Sequence, residues 1–339
     1  MNLKSDLATL APFLLEPLFV ERIWGTPDLR PWYDFVASGE PGHNPVGEVW
    51  LTGDDCKVAT GDLAGKKLSE VFQEHSEAML GAAAPASVQG ASPLLMKVIF
   101  AREKLSVQVH PDDRLAQKYG QPRGKTECWY ALAAEPGAEV AAGLRRGVTL
   151  AQVEAEVADG TLESSLQVLP VAEGDMVFVD AGTVHAIWPG SVLLETQQNS
   201  DITYRLFDYG RPRELHVAKA IEAIRLETAA GKVPPSELVG GGVVLVDSDY
   251  FRVEKIFVQG VKSGNSMDET PGLQYLFAAA GAGRISATEG ATFETVELPS
   301  RGIAAIPASS PEWQIEDAGG LELIRITPSW PVQAAESAA

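Results

Sequence analysis

Apolar residues along this chain recur mostly at alternate positions or in short unbroken runs, and three segments carry the wider spacing of a helix. Residues 67–80 place apolar side chains at 68, 71, 72, 79 and 80 among charges, a pattern that puts them on one helical face. Residues 149–166 open on Thr149, a cap residue, and contain Gly160, which divides them into two short helices. Residues 215–228 form the third helical segment and end ahead of Gly231. Short strands are expected at 94–100, 106–109, 127–133, 176–179 and 192–197, each bounded by Gly, Pro or Asp. Beyond Lys232-Val233-Pro234-Pro235 and Gly240-Gly241-Gly242 the pattern changes. From 243 to 328 there are only strand-like pieces with regular turn signals between them. The expectation is a mainly β protein with a few short helices. A first domain covers 1–235, a second, smaller all-β domain (a sandwich or small barrel) covers 236–330, and a frayed alanine-rich tail covers 331–339.

Composition narrows the partners. The chain has 339 residues, more than one core usually organises, and 45% of them are hydrophobic, enough to bury a large interior. The net charge of −19 repels nucleic acid and anionic lipid, so neither is expected as a partner. A phosphate would have to be held by a few local cations. The two cysteines, Cys56 and Cys128, are expected as thiols not joined in a disulfide, in a reducing compartment. Residues 1–17 lack the basic start, apolar run and cleavage site of a signal peptide, and no stretch approaches the roughly 20 apolar residues of a membrane span. A soluble, cytoplasmic protein is the expectation; its oligomeric state is open.

Three polar groups interrupt the β pattern where chemistry can sit. Gln108 and His110 are two apart on an expected strand and so share a face, with Val107 and Val109 on the other and Pro111 ending the run. Lys125 and Glu127 share a face by the same rule, which turns Cys128 away from it. Gly174, Gly182 and His185 mark two turns and a following strand. One amide oxygen, two imidazoles and one carboxylate make a complete ligand set for a borderline divalent metal, with a position left for substrate. Beside such an ion, Lys125 becomes a candidate proton carrier. The block from Glu195 to Arg211 is dense in hydrogen-bonding side chains, and within it Arg205 can stabilise an anionic oxygen or grip a phosphate.

The segments KVIFAREKLSVQVHPDD, GKTECWYALAAEPGAEVAAGL, GDMVFVDAGTVHAIWPG and ETQQNSDITYRLFDYGRPRELHVAKA together resemble type I phosphomannose isomerases of the short bacterial form, members of the cupin superfamily. PLFVERIWG and GEVW look like further pieces of that family. The resemblance covers about 17–220 and weakens beyond Gly240. It departs from the general cupin pattern at Asp180 and Pro189, where Pro and Asn are usual, and Thr196 replaces an aliphatic residue. It implies a cupin-type jelly-roll barrel carrying one zinc ion per chain on Gln108, His110, Glu127 and His185. It implies Arg205 as a catalytic residue, and Lys125 as a proton carrier, with a metal-held water as the rival. The implied reaction interconverts mannose 6-phosphate and fructose 6-phosphate through a cis-enediol. The phosphosugar's phosphate has four unranked candidates, Lys97, Arg102, Arg211 and Arg213. Two other readings stay open: a non-catalytic sugar-phosphate-binding cupin, and another metal-dependent cupin enzyme such as an iron oxygenase, which Gln108 disfavours by filling a position oxygen would need.

Overall fold

The alternating apolar positions are buried between and behind paired antiparallel sheets. The computed structural model describes residues 9–39, 43–238, 241–264 and 272–330. The chain forms two compact units, one from Leu18–Trp50 and Leu94–Pro234, the other from Met1–Pro17, Leu51–Pro93 and Pro235–Ala339. The tail expected at 331–339 and Gly240 of the linker lie outside the described residues.

Among its described residues the first unit has twelve strands. They are β1 (Leu18–Thr26), β2 (Val46–Trp50), β3 (Leu94–Phe100), β4 (Val107–Val109), β5 (Glu127–Ala134), β6 (Glu139–Leu144), β7 (Leu166–Pro170), β8 (Met176–Val179), β9 (His185–Ile187), β10 (Ser191–Gln198), β11 (Tyr204–Phe207) and β12 (Gly231–Lys232). One sheet runs β12-β8-β5-β10-β3-β2-β1 and the other β11-β4-β9-β6-β7. Every pairing in them is antiparallel. Strand periodicity sorts the side chains. Trp129 and Ala131 of β5, Val177 and Val179 of β8 and Leu193 of β10 meet Val140 and Ala142 of β6 and Ile187 of β9 in one core between the sheets. Val107, Val109, Ala141, Ala186 and Leu206 face the other way and pack against Val153, Leu162, Ala220 and Ala223 of the helical segments. This is the double-sheet architecture a jelly roll uses, with helices shielding one outer face.

Three helical expectations meet different outcomes. The first helix runs Leu68–Leu80 in the other unit. The second is Leu150–Asp159, where the Thr149 hydroxyl accepts a hydrogen bond from the Gln152 N–H (3.2 Å) and Gly160, at φ 80°, ends it. A 3-10 turn at Leu162–Ser165 follows, in place of a second α-helix. The third is Val217–Ala223, shorter than the 215–228 expected. It stops because Ile224 leaves helical geometry and Arg225 donates its N–H to Gly182 (2.9 Å), an attachment to the loop before β9 that periodicity does not reveal. A short helix at Asp113–Lys118, capped by the Asp112 carboxylate, was not expected from the pattern.

The second unit is also mainly β. Its larger sheet orders Phe13–Leu14, Ile303–Ile306, Gln274–Ala280, Glu322–Pro328, Phe251–Phe257, Val243–Asp247 and Ser236–Glu237. A four-stranded sheet orders Val261–Ser263, Trp313–Asp317, Gly283–Ala287 and Val296–Leu298. Ile256, Leu276, Ile285, Leu298, Ile315 and Leu323 share its core. The chain passes from one unit to the other at Pro234–Pro235, but the continuous first domain expected over 1–235 is interrupted. Phe13 pairs with Ala305, and the N–H groups of Ala308 and Ser309 donate to Met79 and Ala78. Those bonds satisfy backbone groups of 13–14 and of the Leu68–Leu80 helix within the unit built mostly from the C-terminal strands.

Candidate metal centre

Each candidate ligand is delivered by a strand or by the residue that follows one. Gln108 is the centre of β4, between the fully buried Val107 and Val109, and points to the opposite face. His110 follows the last residue of β4, and Pro111 turns the chain away. His185 opens β9 directly opposite Gln108 in the ladder, and Glu127 opens β5. Ligand atoms of His110, Glu127 and His185 all lie within 4.8 Å of one another, and each residue is 1% exposed. His110 Nε2 is 3.4 Å from Glu127 Oε2, and His185 Nε2 is 3.4 Å from Glu127 Oε1.

The donor set fits a divalent ion. His110 Nδ1 donates to the Ile202 carbonyl (2.8 Å) and His185 Nδ1 to the Thr183 carbonyl (2.9 Å). A carbonyl can only accept, so both rings are held with the Nε2 lone pair directed inward, the usual support for a metal-binding histidine. Burial, and then the Lys125 ammonium, push His110 down to about 3, and burial lowers His185 as well, so both rings are neutral at ordinary pH. Burial alone would raise Glu127, but Lys125, His110 and His185 outweigh it and hold the carboxyl well below its usual range. Glu127 Oε2 is buried without a well-formed hydrogen bond, although Lys125 Nζ is 2.7 Å away. Gln108 presents Nε2 to His185 Nε2 (3.2 Å), and its oxygen accepts from the Ser106 hydroxyl (3.1 Å). As a ligand Gln108 would use that oxygen, which requires turning the amide over.

Behind the ligands runs a line of buried charges of alternating sign. Lys125 Nζ is 3.0 Å from His110 Nε2 and 3.6 Å from Glu195 Oε1. Lys97 Nζ bridges Glu195 Oε1 (3.1 Å) and Glu48 Oε1 (3.5 Å), and Glu48 Oε2 takes Arg22 Nη2 (2.7 Å). Trp129 Nε1 and Trp50 Nε1 donate to Glu195 and Glu48. Burial and the neighbouring Glu127 raise the Glu195 carboxyl, against the pull of Lys97 and Lys125. These residues open on a cavity of about 290 Å³, into which Arg205 also projects. Arg205 sits opposite Gln108 on β11, and its Nε is buried without a hydrogen-bond partner. Burial, and then the Arg213 charge, lower its pKa.

The structure therefore brings together Gln108, His110, Lys125, Glu127, His185 and Arg205. Of the phosphate candidates, Lys97 and Arg213 line this cavity. Arg102 lines a separate hollow with Trp32 and Phe100, and Arg211 is bound to Asp208, Glu103 and the Lys104 carbonyl. Arg22 and Glu48 were missed as site residues, and Glu195 was noted only as part of a polar block. Their signal is charge at strand positions whose neighbours are apolar, as in GEVW and LLET.

Gly124 sets the approach to Lys125. A Cβ there would lie 2.5 Å from the Asp112 carbonyl carbon and 2.6 Å from the Pro111 oxygen, both backbone atoms, while Lys125 N–H donates to that same oxygen. Gly124→Ala is expected to lower stability by about 1–3 kcal/mol, through displacement of backbone in a packed region. Chemical denaturation of the metal-loaded variant measures it, and wild-type stability would show that the loop gives way freely.

Residues 13–142 match the phosphomannose isomerase type I catalytic domain. A mannose-6-phosphate isomerase of Streptococcus mutans is 33% identical over 328 residues, 92% of this chain and 98% of that protein. The putative mannose-6-phosphate isomerase YvyI of Bacillus subtilis is 35% identical over 267 residues, 74% of this chain and 81% of its own length. The crystal structure of the mannose 6-phosphate isomerase from Bacillus subtilis superposes with a TM-score of 0.80 at 31% identity, covering 94% of this chain and 99% of that one. The sheet pairings that gather the His, Glu and His side chains lie in a sequence alike along nearly its whole length to such an enzyme, and the chain belongs to the type I phosphomannose isomerases.

Proposed function

We propose that this protein is a zinc-dependent aldose–ketose isomerase that interconverts mannose 6-phosphate and fructose 6-phosphate. The observation that carries the reading is the buried His110–Glu127–His185 cluster, with both Nε2 atoms directed inward and Lys125 and Arg205 beside it. Gln108, His110, Glu127 and His185 would hold the ion, which when bound supplies Lewis-acid stabilisation of negative charge on the sugar oxygens. The chain supplies the rest. Moving hydrogen between C2 and C1 requires a group that removes a carbon-bound proton and returns it on the same face of a cis-enediol. Lys125, acting as the neutral amine, is assigned that role because it lines the cavity and its Nζ lies 2.7 Å from Glu127 Oε2. Arg205 is assigned to the developing oxyanion, where a guanidinium acts at full charge in a site of low dielectric.

Among the described residues no helix is long and apolar enough to cross a membrane. Cys56 and Cys128 are buried thiols, which supports a reducing compartment, and we place the enzyme in the cytoplasm. A coupled assay for fructose 6-phosphate tests the function. Turnover is expected in the loaded protein, lost after chelation and restored best by Zn²⁺. Elemental analysis of the purified protein identifies the metal. Sugar phosphate bound without turnover would replace the reading with a binding protein, and oxygen uptake would replace it with an oxygenase.

A further inference from the structure

The cavity carries five cationic side chains, Arg22, Lys97, Lys125, Arg205 and Arg213, against three carboxylates, Glu48, Glu195 and Asp201, on a chain whose net charge is −19. With Asp208 on Arg213 and Glu127 on Lys125 counted, cations and carboxylates balance, so what matters for an anion is which cations keep exposed donors. The two lysines are committed elsewhere. Lys97 lies between Glu48 and Glu195, and Lys125 contacts Glu127, His110 and Glu195; their side chains are 6% and 4% exposed. Arg22 and Arg213 differ, with side chains 27% and 24% exposed. They come from opposite sides of the sandwich, Arg22 from β1 of the seven-stranded sheet and Arg213 from the loop after β11 of the five-stranded one.

Each of these guanidiniums is fixed from behind. Arg22 places Nη2 on Glu48 Oε2 and Nη1 on the Glu21 carbonyl (3.1 Å). Arg213 places Nε and Nη2 on the two oxygens of the buried Asp208, at 2.7 and 2.6 Å. A carboxylate-anchored guanidinium is held in one orientation and keeps unused N–H donors for a second anion, which suits it to a phosphate dianion better than a mobile lysine. Arg205, opposite Gln108, lies nearer the metal-binding end.

Resting on the isomerase reading above, we infer that Arg22 and Arg213 together grip the phosphate of the substrate, leaving Arg205 to the reacting end. The two arginines then set which sugars are accepted, by requiring a dianion at a fixed reach from the metal ligands. The test titrates inorganic phosphate calorimetrically into metal-loaded wild type, Arg22→Gln, Arg22→Lys and Arg213→Lys, and measures kcat and KM for mannose 6-phosphate on the same preparations. In Arg22→Gln the expected result is a rise of tenfold or more in both the phosphate Kd and the KM, with kcat within a few-fold and metal content unchanged. Arg22→Lys, which can keep the Glu48 ion pair, recovers part of the loss, and Arg213→Lys raises both constants. Unchanged phosphate Kd in both Arg22→Gln and Arg213→Lys overturns the inference, as does a kcat loss with KM unchanged. Failure of the isomerase reading looks different: wild type binds phosphate but does not turn over mannose 6-phosphate.

Discussion

Replacing His185 with alanine is expected to remove the bound divalent ion and turnover together. The imidazole is 1% exposed, and its Nδ1–H is fixed on the Thr183 carbonyl, so its Nε2 has no role in the protein's own hydrogen bonding except the contact with the Gln108 amide. Removing it takes one of two neutral nitrogen donors from a set of four proposed ligands and leaves a hole against Trp129, whose ring lies 5.6 Å from that of His185. Loss of a supporting residue alone typically costs 10–100-fold in metal affinity, and loss of a ligand costs more. Elemental analysis of the purified variant and the coupled assay on the same preparation measure the two losses. The fold should persist, because the sheet pairing of His185 with Gln108 and Ala142 is made by backbone and the stripped site is polar and hydratable. Wild-type turnover in a metal-free variant would take the metal out of the mechanism.

Gln108 and His110 were legible because a period of two is a local property. Val107 and Val109 do pack away from the site, even though β4 ends one residue before His110. Glu127 and Cys128 part to opposite faces for the same reason, with Trp129 and Ala131 following Glu127 inward. That His185 faces Gln108 across a ladder is a long-range pairing, and only the family resemblance, not the spacing, made it foreseeable. Arg22 and Glu48 carried too weak a signal to be read as site residues. A charged side chain on a strand reads as a solvated one until the neighbouring strands are known, and the buried Glu48 is matched by Arg22 of β1, Lys97 of β3 and the Trp50 indole. The interrupted first domain was hidden likewise. Nothing local in Phe13–Leu14 shows that its backbone groups bond to Ile303–Ile306.

Arg205→Ala separates chemistry from metal binding. It is expected to leave the metal content intact and to cut turnover by about a hundredfold or more, roughly 3 kcal/mol of barrier. Two features make the substitution clean. Arg205 is not one of the four residues around the ion, and its backbone pairing with Gln108 does not depend on its side chain. Among the described residues its guanidinium enters no ion pair, and its Nε is buried without a hydrogen-bond partner, so truncation strands no carboxylate. A buried donor left unsatisfied in the free protein costs stability, and that cost is recovered when an acceptor arrives. The enediolate oxygen is such an acceptor, and it is more negative in the transition state than in the sugar. The interaction therefore falls on kcat more than on KM. Arg205→Lys keeps a charge but loses the planar fork and the reach of its Nε, so it should recover only part of the rate. Steady-state kinetics and elemental analysis on the two variants measure these effects. If the alanine variant loses its metal, Arg205 belongs to the assembly of the site; if KM alone rises, it binds the phosphate in place of Arg22 and Arg213.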